Sequence, residues 1–78
     1  MPEYPDVDHG RTLADALIGE MRRVRDVILP HYLALEGGAG MPAVLLMRGE
    51  LDAAAYALAE QDATKCLALF RALRAYEL

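Results

Sequence analysis

Seventy-eight residues, 55% of them apolar, with a net charge of −4, make a single domain (1–78) that carries more apolar side chain than one small core can hide. The lone cysteine, Cys66, excludes an internal disulfide, and with only His9 and His31 beside it the paired-ligand spacing of a structural zinc is missing. The acid balance argues against a general affinity for nucleic acid or anionic membrane, and no apolar run approaches the roughly twenty residues that span a bilayer.

Residues 1–9, MPEYPDVDH, read as an arm, because Pro2 and Pro5 lack amide donors and push their predecessors away from the helical region. The arm is acidic and proline-broken, unlike a secretory leader, which favours a cytoplasmic protein. An alanine-, leucine- and arginine-rich composition gives it a bacterial style. Asp6, Asp8 and His9 bring metal-type ligands together, but they match no metal motif and no packed element holds them.

The first helix is expected over about 11–35. Leu17, Met21, Val24, Ile28, Tyr32 and Leu35 step by fours and threes along one side. Pro30 removes an amide and crowds the carbonyl four residues earlier, and since the seam resumes beyond it the expectation is a kink rather than an end. Arg22, Arg23 and Arg25 lie off the seam or on its shoulder. Asp26 stands at helical pairing distance from Arg22 and Arg23, Glu20 from Arg23, and Asp15 from Arg11, so the face reads as mixed and solvated. Ile18, Leu29 and Leu33 form a second apolar flank interleaved with Arg22 and Arg25, and a second flank asks for a second neighbour.

Gly37, Gly38, Ala39 and Gly40 read as a flexible turn, and Pro42 suits the first turn of a second helix over about 41–60. A phosphate-loop reading of GGAG fails, because the segment follows a helix and no Lys-Ser or Lys-Thr comes after it. In the second helix Gly49, Ala53 and Ala57 fall four apart, with Leu46 beside them, opposite Leu51 and Leu58. Small residues at that spacing admit a close helix neighbour, inside the bundle or across a dimer axis. Asp62 is placed to cap a third helix over about 63–76. In that helix Cys66 shares a face with Phe70 and Leu73, as a buried, inert thiol would. Its opposite face offers Arg71 among Thr64, Ala68 and Ala75, too little cation for a DNA recognition helix.

Three helices with short connections predict a small all-α antiparallel bundle. Its expected core is Leu17, Met21, Val24 and Ile28, then Val44, Met47, Leu51, Ala55 and Leu58, then Cys66, Phe70 and Leu73. Nothing in the chain converges on a reaction: no paired nucleophile and base, no metal set, no cofactor loop, and no evident acid–base partner for His31. The reading is therefore a non-enzymatic interaction or assembly protein, a homodimer or the partner of another protein, with Ile18, Arg22, Arg25, Leu29, Leu33, Leu46, Gly49, Ala53 and Ala57 as its contact residues. The alternative is a small regulator that binds nucleic acid through the arginine flank.

Overall fold

In the computed structural model, which describes residues 12–78, the chain is an all-α bundle of three helices, the first of them joined from pieces. The arm, with Asp6, Asp8 and His9, lies outside the described residues. Helix α1 (Leu13–Arg23) runs into a π turn (Val24–Ile28) and then into α2 (Leu29–Leu33). A 3-10 turn (Glu36–Gly38) leads to α3 (Met41–Glu60), and α4 (Ala63–Arg74) closes the bundle. The last helix packs against both α1 and α3, while α2 packs against α3.

The first helix starts two residues later than the sequence implied, for a local reason. Thr12 is its N-cap. Its Oγ1 accepts from the Asp15 amide at 3.0 Å, and the Asp15 carboxylate accepts from the Thr12 amide at 3.3 Å. This reciprocal box satisfies two amides that the helix itself cannot.

The bend expected at Pro30 is present, and it is prepared upstream. The Val24 amide still reaches back four residues to the Glu20 carbonyl, but across the π turn the reach grows to five, with the Leu29 amide on the Val24 carbonyl. Pro30 then sits in the first turn of α2, and the α-helical pattern resumes with the Ala34 amide on the Pro30 carbonyl at 3.1 Å. A π turn spends one extra residue, so every later side chain lags by roughly 100° on the α-helical wheel. Leu29 is thereby turned into the core, at 9% exposure, while Val27 is turned out. The flank of Ile18, Leu29 and Leu33 inferred from an uninterrupted helix is corrected: only Ile18 and Leu33 remain at the surface. Helix one ends at Leu33, and Leu35, expected to extend the seam, lies beyond it and is exposed.

The glycine turn serves geometry rather than slack. Gly37 and Gly38 take φ of 66° and 73°, values that cost an L-residue about 1–2 kcal/mol. Gly40 is buried against the end of the first helix, where a Cβ would lie 1.9 Å from the Tyr32 carbonyl oxygen. Pro42 then occupies the first turn of α3, as expected.

Between α3 and α4 the chain turns through Gln61 at φ 56°, with the Gln61 amide on the Leu58 carbonyl and the Asp62 amide on the Ala57 carbonyl. That is a Schellman closure with glutamine where glycine is usual. Asp62 caps α4 by accepting from the Lys65 amide at 3.1 Å. Two residues past α4, Tyr76 donates its hydroxyl hydrogen to the Glu50 carboxylate, which ties the end of the chain to α3.

The core is wholly apolar: Ala16, Leu17, Val24, Ile28, Leu29, Val44, Met47, Ala54, Ala57, Cys66, Phe70 and Leu73. Met21, Leu51 and Leu58 pack against it half-buried. Ala55, expected inside, is exposed, and Ala54 takes its place. Ala54 keeps the three-and-four spacing of Val44, Met47, Leu51 and Leu58, whereas the Ala53–Ala55 run carries no size signal to mark which alanine points in.

Candidate interaction surface

The arginine cluster resolves into three different environments. Arg23 lies against the C-terminus of α4, its guanidinium donating to the Leu73 carbonyl at 3.1 Å and the Arg74 carbonyl at 3.4 Å, while Glu20 receives its Nε at 3.0 Å. A cation there adds a charged donor to the last carbonyls of the helix, of which that of Leu73 also accepts from the Tyr76 amide at 3.2 Å, and sits at the negative end of the helix dipole. Arg25 closes on its neighbour Asp26, its Nε and Nη2 donating to the two carboxylate oxygens at 2.8 and 3.1 Å. The hydrogen bond to Asp26 holds the Arg25 pKa above its ordinary value, and the bond from Arg25 holds the Asp26 carboxyl below the usual range. This pairing of neighbours replaces the Arg22–Asp26 and Arg23–Asp26 pairs inferred from α-helical spacing, because the intervening turn has π geometry. Arg22 is exposed and adds a coulombic pull on Asp26.

Groups with possible chemistry are dispersed. Cys66 is buried, and burial pushes its thiol pKa up, with Asp62 adding to the shift. A thiol held protonated in apolar surroundings is a poor nucleophile. His31 is exposed, with its ring edge-on to Tyr32 at 5.6 Å. Among the described residues no group of three His, Cys, Asp or Glu side chains could hold a metal ion, and no helix is long and apolar enough to cross a membrane.

The surface that stands out belongs to α3, which is apolar on two sides. Its inner side buries Val44, Met47, Ala54 and Ala57. On its outer side Leu45, Leu46 and Tyr56 are 62%, 58% and 63% exposed, and Gly49 and Ala53 lie between them, also exposed. A Cβ added at Gly49 would meet nothing within 4 Å, so none of the described residues approaches the middle of that strip. The small-residue set of Gly49, Ala53 and Ala57 is therefore divided, with Ala57 packed inside the bundle and the other two facing out beside Leu46.

Sequence reasoning passed over Leu45 and Tyr56, although the wheel places both beside Gly49. Attention to small residues hid the large ones that flank them. Next to Tyr56 an open groove of about 420 Å³ runs between α3 and α4, lined by Ala53, Tyr56, Ala57, Glu60, Lys65 and Leu69. No family model matches the chain, and neither a curated protein nor a solved structure is significantly similar to it.

Proposed function

We propose that this protein is a non-enzymatic helical assembly module that associates with a second copy of itself through the outer face of α3. The observation that carries this reading is the strip of Leu45, Leu46 and Tyr56, each more than half exposed, around an open centre at Gly49. Single exposed apolar residues need no explanation, but a contiguous strip of large ones marks a contact surface.

Magnitudes favour a reversible dimer over a permanent one. Each large side chain has about 1–2 kcal/mol of burial still unclaimed, so covering three on each copy contributes on the order of 10 kcal/mol. Losing independent motion on association costs an amount of the same order. The two largely offset each other, so dimers should be weak and should dissociate on dilution.

A nucleic-acid reading of the arginine flank draws less support, since Arg23 is engaged with α4 and Arg25 with Asp26. Cations already paired displace fewer counterions from phosphate. The direct test is Ala53→Arg, which adds a long charged side chain at an exposed position in the middle of the strip. The expected result is a monomer by light scattering with unchanged helical circular dichroism. A variant that keeps the mass of the parent dimer contradicts the proposal.

A further inference from the structure

We infer that the two copies meet with their α3 helices antiparallel about a two-fold axis, with Leu45 against the partner's Tyr56 and Arg48 facing the partner's Asp52. This rests on the self-association proposed above and adds its orientation. The strip is bulky at its ends, with Leu45 and Leu46 toward one and Tyr56 toward the other, and small at its centre, Gly49 and Ala53. Two helices in contact at a small centre diverge outward, and the bulky ends fill the widening space. If Gly49 lies opposite the partner's Ala53, the reversed register brings the partner's Tyr56 to the level of Leu45 and Leu46, and Leu45, on the same flank as Tyr56, is the leucine it meets.

Charge selects the same direction. Arg48 and Asp52 are both exposed and lie one turn apart on the same flank of the strip. No ion pair joins them to each other among the described residues. In an antiparallel pair each flank faces its own counterpart, run backwards, so Arg48 meets the partner's Asp52 and the axis repeats the contact. A parallel pair would set that flank against the apolar Leu46–Ala53 edge of the second helix and stack Tyr56 on its own copy. Both charges would then lose water without gaining a partner, a cost that a reversible interface of this size does not offset. The self-complementary flank is the reason for assigning the strip to a second copy of this chain.

The test measures the dimer dissociation constant at low salt for Arg48→Asp, Asp52→Arg and the double exchange. Each single reversal is applied twice by the axis, so each should weaken the dimer by about tenfold, and the double exchange should return it to within about threefold of the parent. Singles equal to the parent, or a double as weak as its two singles combined, would overturn the antiparallel arrangement while leaving the dimer in place. A parent that stays monomeric at every concentration overturns both. Orientation is also read without charge by mixing Leu45→Cys with Tyr56→Cys in oxidised glutathione, where Cys66 is too buried to compete. The mixed disulfide should exceed either homodisulfide, and the reverse preference points to a parallel pair and overturns the inference.

Discussion

The first helix and α3 dispose of their side chains in opposite ways. The first helix displays its charges conspicuously, three arginines within four positions, yet Arg23 is engaged with α4 and Arg25 with Asp26. The second region is quiet: on its outer face α3 carries mostly alanine, glycine, leucine and one tyrosine, and none of the described residues covers them. A cluster of charge is a poor guide to a contact surface when the fold itself can absorb it. Apolar area that no element covers is the better guide.

Substitutions on the two sides of α3 should differ most. Met47, fully buried, should cost about 2–5 kcal/mol of stability as Met47→Ala, through lost transfer energy and the cavity left behind. Leu45→Ala on the outer side should cost less than about 0.5 kcal/mol when measured by urea unfolding at concentrations below dimerisation. Equal losses at the two positions would mean that the outer face is covered within one chain.

The arginines give a smaller contrast of the same kind. Arg23→Ala removes a charged donor from the end of α4 and should cost about 1–2 kcal/mol, because its guanidinium is only partly buried. Arg22→Ala, at an exposed position, should stay within about 0.5 kcal/mol. Reversed magnitudes would undo the assignment of Arg23 to α4.

The smallest effect lies at the end of the chain, where Tyr76 reaches α3. Burial first, then the hydrogen bond and proximity of Glu50, push the Tyr76 pKa from 10.0 up to about 12. A raised folded-state value means that the protonated hydroxyl is favoured by folding. Its contribution is complete below about pH 10 and is lost as the pH rises toward 12. Tyr76→Phe should therefore melt lower than the parent, by about 1 kcal/mol of stability, at pH 7 and 9 alike, with the gap closing toward pH 12. A gap that is unchanged at pH 12 would place the effect in packing instead.

Much of the architecture was legible because its signals are local. Pro42, Asp62 and the spacing of Val44, Met47, Leu51 and Leu58 set the start of α3, the cap of α4 and the inward face between them. The rest escaped for identifiable reasons. The π turn exchanges hydrogen-bond partners without any change of residue type that periodicity can detect, so Leu29 was assigned to the wrong side. Arg23 bonds to carbonyls fifty residues away, beyond any rule of helical spacing. The outer strip was half legible: Leu46, Gly49 and Ala53 were marked by spacing, and Leu45 and Tyr56 needed only to be placed on the same wheel.

The central question is whether the outer face of α3 closes on another copy of this chain. Absolute mass by light scattering, followed through a dilution series from high to low micromolar, measures that directly. The prediction is a mass of twice 8.6 kDa at the concentrated end that falls toward 8.6 kDa on dilution. A constant 8.6 kDa throughout would contradict it.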